Sequence, residues 1–290
     1  METVHTVEWM KQVAHRARAE GQVVGLVPTM GALHEGHISL VLAAQQQCGL
    51  VVVSIFVNPK QFGPGEDFEK YPRAMEADRA ALEALGVPFL FSPVAKEMYP
   101  DGFRTYVSVE GLSEGLEGRS RPGHFRGVTT VVLKLLEVVQ PHFAYFGRKD
   151  AQQARIIGQM AHDLSLDAEI IVCPIVRGPD GLALSSRNAY LEGDERRAAT
   201  VLYRALSAAR QEIDAGERDA ARLLAAIRKV IEAEPLASAD YAEIVDRESF
   251  EPVSRVRRAC LALLAVFVGS VRLIDNMLIE EREGVFTVSL

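Results

Sequence analysis

The sequence has few cysteines, no long apolar run and no excess of basic residues. Its three cysteines, Cys48, Cys173 and Cys260, lie far apart, which argues against a disulfide framework or a zinc ribbon. The most apolar run, residues 260–268 (CLALLAVFV), is about half the ~20 residues that a membrane helix needs and is typical of a buried strand. The N-terminal residues contain no apolar stretch as long as that of a signal peptide. These absences predict a protein of the reducing cytoplasm without a membrane partner.

The charge balance is acidic, with a formal net charge of −7 over 290 residues. Binding to a phosphate backbone uses clustered lysine and arginine, so nucleic acid is not expected as a partner. Three small basic clusters nevertheless lie in Gly-rich or Pro-rich loops, where functional residues concentrate. They are Arg119 with Arg121, Arg148 with Lys149, and Arg177 with Arg187.

Apolar, β-rich runs alternate with amphipathic helices over the first part of the chain. The runs are residues 23–28, 50–57, 87–91, 143–146 and 169–176. Runs this apolar suit strands covered on both faces, and their alternation with helices predicts a parallel sheet. Beyond residue 176 the pattern changes to two polar helices, at 192–215 and 219–233, and three more strand-like runs. We therefore predict an α/β domain over residues 1–176 and a smaller α+β domain over 177–290.

Ligands of parallel sheets bind at the carboxyl ends of the strands. The segment Met30 to His37 (MGALHEGH) follows the first apolar run, and a helix is expected to start close to His34. Backbone N–H groups and the helix dipole favour an anion there, and the rings of His34 and His37 could add hydrogen bonds to it. The pattern predicts a phosphate-binding turn, although the two histidines could equally serve only as a cap. A metalloprotease site is disfavoured, because H-E-x-x-H needs one more residue between the histidines.

Two further loops carry candidate ligands in the first part of the chain. Asn58, Gln61 and Tyr71 lie in a loop that could bind a small polar substrate or simply be solvated. After the run at 143–146, Lys149 offers a point charge for phosphate and Gln153 lies one turn into the next helix. Asp150 could instead be the N-cap of that helix.

The segment Gly181 to Asn188 (GLALSSRN) joins a glycine, two hydroxyls and Arg187 without apolar periodicity. It suits a mobile loop that clamps a triphosphate. Ser-Ser-Arg also occurs in ordinary surface turns, so the tripeptide alone is a weak signal.

Five segments together resemble the pantothenate synthetase family, the ligases of pantoate and β-alanine. They are MGALHEGH, FVNPKQFGPGEDFEKYPR, RPGHFRGV, FGRKDAQQ and LALSSRN, and they occur in the family's order and spacing over nearly the whole chain. The family is similar to other nucleotidyltransferases with HxGH and KMSKS-like motifs. The resemblance implies a Rossmann-like N-terminal domain that binds ATP and pantoate, and a small C-terminal domain that carries the KMSKS-like loop.

The resemblance also implies the reaction. The pantoate carboxylate would attack the α-phosphate of ATP, pyrophosphate would leave, and the amine of β-alanine would then displace AMP. Mg²⁺ would accompany the ATP, and the chain would form a homodimer. The strand-like run at 50–57 or the helix after Gly127 could supply the dimer interface.

Carried over by motif, the site residues fall into three groups. His37, as proton donor, would act with His34, Lys149 and Arg187 in catalysis. Gln61 and Gln153 would hold pantoate, and Asn58 is a further candidate for substrate binding. The ATP site would comprise Met30, Gly31, Ala32, Leu33, His34, Glu35, Gly36, His37, Gly147, Arg148, Lys149, Asp150, Val176, Leu184, Ser185, Ser186 and Arg187. The direct metal ligands are left unassigned.

Two positions depart from the family pattern. Leu184 replaces the usual methionine but keeps an apolar contact for adenine, and Arg148 replaces an acidic or amide residue and is expected to face solvent. Asp78 could touch Mg²⁺ through water, but a solvated helix face is the expected position of this carboxylate.

Two other functions remain compatible with the motifs. The first is a nucleotidyltransferase that adenylylates a phosphate ester, with no second acceptor step. The second is a non-catalytic nucleotide-binding module or a truncated tRNA synthetase, which the lack of a basic face disfavours. Formation of ADP would exclude the ligase reaction, and the product formed after adding β-alanine separates the ligase from the transferase.

Overall fold

The computed structural model describes residues 1–290 apart from the side chain of Arg282. The chain divides into two compact units. The first comprises Met1–Arg148 and Gln152–Pro174, and the second comprises Lys149–Ala151 and Ile175–Leu290.

The first unit contains a six-stranded parallel sheet. Its strands are β1 Glu2–Val4, β2 Val24–Thr29, β3 Leu50–Ile55, β4 Phe89–Phe91, β5 Phe143–Gly147 and β6 Glu169–Cys173. Its helices are α1 Val7–Ala19, α2 Glu35–Gln47, α3 Met75–Ala84, α4 Ala95–Met98, α5 Glu117–Ser120, α6 His124–Val139 and α7 Ala151–Asp163. All five strand pairs are parallel, so the predicted Rossmann-like sheet is confirmed.

The core of this unit lies on both faces of the sheet. Successive residues of β2 point to opposite faces, so Leu26 joins one buried cluster and Val27 joins another. Helices α1, α6 and α7 contribute to the first cluster, and α2 and α3 contribute to the second. Burial on both faces explains why the strands read as continuous apolar runs.

The strand order is β1-β4-β3-β2-β5-β6. The chain builds outward from β2 through β3 to β4, and then returns to place β5 on the other side of β2. The order therefore reverses between β2 and β5, and this is the point where parallel sheets bind ligands. The turn at Met30 and the segment after Gly147 follow the two strands that flank it.

The run at 50–57, one of the two segments considered for a dimer interface, contains a core strand. Strand β3 lies between β4 and β2, and all six of its residues are buried. The inward residues of α6, including Val128 and Leu135, belong to the core of the same unit. Their apolar character serves the core of this chain.

The second unit contains a four-stranded antiparallel sheet in the order β10-β9-β8-β7. Its strands are β7 Ala237–Asp246, β8 Cys260–Val268, β9 Val271–Arg282 and β10 Val285–Ser289, and its helices are α8 Gly193–Ala198, α9 Val201–Asp214 and α10 Ala220–Glu232. The buried strand expected at 260–268 is confirmed. The single helix expected over 192–215 is instead two, because the N–H groups of Thr200 and Leu202 bond to carbonyls three residues back rather than four.

Candidate active site

The turn between β2 and α2 has an unusual backbone. Gly31 and Ala32 both have positive φ, 84° and 49°. A Cβ on Gly31 would lie 3.0 Å from both Asp78 Oδ2 and Ile55 Cγ2, so this position requires glycine. A left-handed alanine costs about 1–3 kcal/mol and persists only where the surroundings hold it.

Asp78 holds this turn in place. Its carboxylate accepts the N–H of Ala32 at 2.9 Å and that of Leu33 at 2.7 Å, and the residue is 3% exposed. The expected solvated helix face was therefore wrong. Asp78 lies four residues before the buried Leu82 on α3, so both side chains face inward.

His34 and His37 form a reciprocal cap at the start of α2. His34 Nδ1 accepts the N–H of Gly36 at 3.1 Å, and His37 Nδ1 accepts the N–H of His34 at 3.4 Å. Their ring centroids lie 4.1 Å apart. Because each Nδ1 is an acceptor, the neutral rings carry their proton on Nε2 and are N–H donors there. The capping role and a phosphate-binding role therefore use different nitrogens.

Gln61 ends a 3-10 helix, Pro59–Gln61, that lies beyond the carboxyl end of β3. Its side-chain amide donates to the sulfur of Met30 at 3.1 Å. The candidate residue for pantoate thus contacts the candidate ATP turn directly. Gln61 is 8% exposed.

Asn58 holds the side chain of Gln61 through a hydrogen bond. Its Nδ2 donates to Gln61 Oε1 at 3.0 Å and to the Gly127 carbonyl at 3.1 Å, while its Oδ1 accepts from the Tyr99 hydroxyl and the Lys60 N–H. Burial raises the pKa of Tyr99, which keeps its hydroxyl a protonated donor. These four contacts use the full hydrogen-bonding capacity of the Asn58 amide.

The two glutamines at the start of α7 have different environments. Gln152 is buried, accepts the Glu117 N–H, and donates to the carbonyls of Leu112 and Gly115. Gln153 is only partly buried. The assignment of Gln153 to pantoate stays a prediction.

In the second unit, the segment expected to be an irregular loop is a hydrogen-bonded hairpin. Arg177 pairs with Ala183, and the Leu184 N–H donates to the Val176 carbonyl at 2.9 Å. A 3-10 helix, Ser186–Tyr190, follows, and Ser185 caps it by accepting the Arg187 N–H. The hairpin therefore determines the position of Ser185 and Ser186, which follow it directly.

Arg177 is a structural residue rather than an available phosphate ligand. Its guanidinium binds both oxygens of Asp275, at 2.6 and 2.9 Å, and donates to the Gly181 carbonyl. Burial raises the pKa of Asp275, and the guanidinium acts against that shift. The neighbouring Asn276 donates to the Lys149 carbonyl at 3.0 Å, so one stretch of β9 holds both the hairpin and Lys149.

Reasoning from the sequence missed these supporting residues. Asp275 and Asn276 interrupt the otherwise apolar run VRLIDNMLI, and that interruption was the available signal. Within the described part of the chain, no helix is both long and apolar enough for a membrane span. The same residues contain no group of three or more His, Cys, Asp or Glu that could hold a metal ion.

Comparison with known proteins gives consistent matches over the whole chain. A family model described as pantoate-beta-alanine ligase matches residues 2–278. The pantothenate synthetase of Heliobacterium modesticaldum is 54% identical over 280 residues, covering 97% of this chain and 100% of that protein. That of Caldicellulosiruptor saccharolyticus is 52% identical with the same coverage.

Solved structures agree with these matches. The pantothenate synthetase of Thermus thermophilus superposes with a TM-score of 0.91 at 47% identity, covering 95% of this chain and 98% of that one. The pantoate-beta-alanine ligase of Francisella tularensis, complexed with beta-gamma ATP and beta-alanine, gives a TM-score of 0.79 at 36% identity, covering 95% and 97%.

Proposed function

The chain belongs to the pantoate-β-alanine ligase family, and we propose that its reaction passes through a pantoyl adenylate. The reaction itself is the ATP-dependent joining of pantoate to β-alanine to give pantothenate. In the first step, a pantoate carboxylate oxygen bonds to the α-phosphorus of ATP and pyrophosphate leaves. In the second, the β-alanine nitrogen bonds to the acyl carbon, loses a proton, and AMP leaves.

The observation that carries this proposal is the capped turn at the switch point of the sheet. Adenylyl transfer needs positioning and stabilisation of phosphate charge more than covalent chemistry from the protein. His34 and His37 accept backbone N–H groups through Nδ1, which places the ring proton on Nε2, and in our proposal this N–H donates to the phosphates. His37 donates a proton or hydrogen bond to the phosphates, and the rest of Met30–His37 lines the ATP site.

The remaining site residues take roles that follow from their chemistry. Lys149 and Arg187 supply positive charge to the phosphates, with Ser185 and Ser186 as hydroxyl donors. Gly147, Arg148, Asp150, Val176 and Leu184 complete the nucleotide contacts. Gln61 and Gln153 bind pantoate. We propose that Asn58 acts through Gln61, since its amide is fully occupied by protein groups.

We further propose that Mg²⁺ accompanies ATP and that the chain acts as a homodimer. Mg²⁺ is usually held by substrate phosphates with one or two carboxylates. Both oxygens of Asp78 already accept backbone N–H groups, so this carboxylate is assigned to the turn. The interface is left unassigned, because β3 is a core strand.

Oxygen labelling tests the adenylate. With ¹⁸O in the pantoate carboxylate, one labelled oxygen should appear in the phosphate of AMP, because that oxygen bonds to the α-phosphorus. Without β-alanine, labelled pyrophosphate should exchange into ATP only when pantoate is present. If the products were ADP and inorganic phosphate, with the label in the phosphate, the proposal would be contradicted. A stable adenylylated product that β-alanine does not consume would favour the transferase alternative.

Variants of His37 test its role. His37→Ala should lower the adenylation rate by roughly 100- to 1,000-fold, the effect of losing one donor to a developing oxyanion. In His37→Asn the side-chain amide oxygen can still accept the N–H of His34, as Nδ1 does, but no donor remains at the position of Nε2. The adenylation rate of this variant should therefore fall as much as that of His37→Ala. His15→Ala, an exposed histidine of α1, is the control. Pyrophosphate release at the wild-type rate by His37→Asn would exclude catalysis through Nε2.

A further inference from the structure

The backbone of Gln61 is held by a buried histidine of the segment RPGHFRGV, a residue that has been given no role so far. His124, the first residue of α6, is 8% exposed. Its Nδ1 lies 2.8 Å from the carbonyl oxygen of Gln61, and its Nε2 lies 3.1 Å from Nη1 of Arg121. A guanidinium is only a donor, so Nε2 is the acceptor and Nδ1–H donates to Gln61.

Burial, reinforced by Arg121, keeps this ring neutral. Burial and the nearby Arg121 lower the pKa of His124 to about 4, although Glu66 and Glu117 act in the opposite direction. Arg121 is itself oriented by a two-pronged ion pair with Glu66, at 3.1 and 2.6 Å. The acceptor and donor nitrogens of His124 are therefore fixed at neutral pH.

The side chain and the backbone of Gln61 thus have separate supports. Asn58 binds the side-chain amide oxygen, while His124 and, at 3.4 Å, Arg121 bind the backbone carbonyl. Gly127, one turn into α6, packs directly against the backbone of Lys60 and Gln61. The first turn of α6 consequently determines where the 3-10 helix ends.

We propose that His124 is a positioning residue for the pantoate site, acting through its Nδ1–H bond to the Gln61 carbonyl. The inference rests on the proposed role of Gln61 in pantoate binding. His124 touches no substrate. It fixes the backbone from which the Gln61 amide extends, and Arg121 with Glu66 selects the tautomer that makes this bond.

Two substitutions separate the two ring nitrogens. His124→Asn places an amide N–H near Nδ1 and keeps the bond to Gln61. His124→Gln places its amide near Nε2, keeps a partner for Arg121, and loses the bond to Gln61. Steady-state kinetics should show the pantoate KM of His124→Gln raised roughly 3- to 10-fold, the value of one hydrogen bond. The ATP KM and kcat should stay unchanged, and His124→Asn should behave as wild type.

A double-mutant cycle with Gln61→Ala identifies the path of the effect. If His124 acts through Gln61, adding His124→Gln to Gln61→Ala should raise the pantoate KM no further. Equal and independent effects would overturn the inference, as would a wild-type pantoate KM in folded His124→Gln. If Gln61→Ala itself leaves the pantoate KM unchanged, the proposed pantoate site fails, and the inference fails with it.

His142→Gln is the matched structural control. His142 Nδ1 accepts the Val24 N–H at 3.0 Å, at the opposite end of β2. Its substitution removes a comparable backbone bond away from the site, so it should lower thermal stability without changing the pantoate KM. A parallel rise of the pantoate and ATP KM values in His124→Gln would show general damage and would also overturn the inference.

Discussion

Asp78 bears the clearest prediction at the scale of single residues. Asp78→Asn keeps one of the two acceptor oxygens and replaces the other with an amide NH₂ group. This group then faces a backbone N–H that has lost its acceptor, and an unpaired buried donor costs on the order of 1–3 kcal/mol of stability. The turn at Ala32 should loosen, and kcat/KM for ATP should fall roughly 10- to 100-fold. Steady-state kinetics at rising Mg²⁺ measure this directly.

The same experiment separates a turn anchor from a metal ligand. Because both carboxylate oxygens bind backbone N–H groups, added Mg²⁺ should not restore the variant. Recovery at high Mg²⁺ would show that Asp78 acts through the metal. Glu76→Gln, an exposed carboxylate on the same helix, should match wild type.

Protonation of His124 gives a second prediction for a single residue. Its pKa falls from 6.5 to about 4 on folding, so between these values the unfolded chain binds a proton that the folded chain does not. The free energy of unfolding therefore decreases as the pH falls from 6.5 to 4, by about 3 kcal/mol from this group. Denaturant titrations at pH 4 to 7 should show this loss in wild type and a smaller one in His124→Asn. Parallel pH profiles would contradict the assignment.

Part of this residue-level picture was available from the sequence. The turn, its glycine and its two histidines follow from Met30–His37 alone. Asp78 lies one turn before the apolar Leu82, a spacing that fits an inward carboxylate, although a solvated helix face was expected. The partner of His124 could not be predicted, since Gln61 lies 63 positions away along the chain and no local pattern links the two.

At the scale of elements, the contact between α6 and the 3-10 helix is testable at Gly127. A Cβ there would collide with the carbonyl of Lys60 and lie 2.6 Å from the nitrogen of Gln61. Gly127→Ala should therefore displace Gln61 and lower kcat/KM for pantoate by roughly 100-fold, as misplacing a binding group by about 1 Å can do.

Gly158→Ala is the matched helical control for this contact. Gly158 lies within α7, and a Cβ there has no atom within 4 Å. Alanine should stabilise that helix by up to about 1 kcal/mol and leave activity unchanged. Thermal unfolding followed by circular dichroism, together with pantoate kinetics, compares the two. Wild-type kinetics in Gly127→Ala would show that α6 does not set the Gln61 position.

Element interiors were predictable, whereas their ends depend on partners. Strand β6 was expected to continue to Val176, but it ends at Cys173, whose neighbour on β5 is Gly147. β6 is an edge strand that pairs only with β5, so its ladder stops where β5 stops. Local propensity does not contain this information.

At the scale of the whole molecule, the sequence predicted parallel strands but not their order. The apolar runs identify β2, β3, β4, β5 and β6, yet the return of the chain from β4 to the far side of β2 depends on long-range packing. This return creates the switch point beside Met30–His37. The two-sided burial of the strands was readable from composition, while the position of the site required the topology.

The cysteines provide a prediction for the folded state of both units. Cys48 and Cys173 are buried in the first unit and Cys260 in the second, and all three are free thiols. Burial raises the pKa of each, so access and thiolate formation are both suppressed in the native protein. A thiol reagent such as DTNB should therefore label none of the three at neutral pH until the chain unfolds.

Unfolding should expose these thiols as reporters of the two cores. Cys48 and Cys173 pack in one hydrophobic cluster and Cys260 in another, so peptide mapping after labelling in guanidinium assigns exposure to each unit. All three thiols should react in the unfolded chain, and reductant should not change Tm, because the cysteines are not paired. Val285→Cys, at a site 63% exposed, should be labelled at once in the native protein. Rapid native labelling of Cys260 would mean that the core of β8 opens readily under conditions in which the enzyme works.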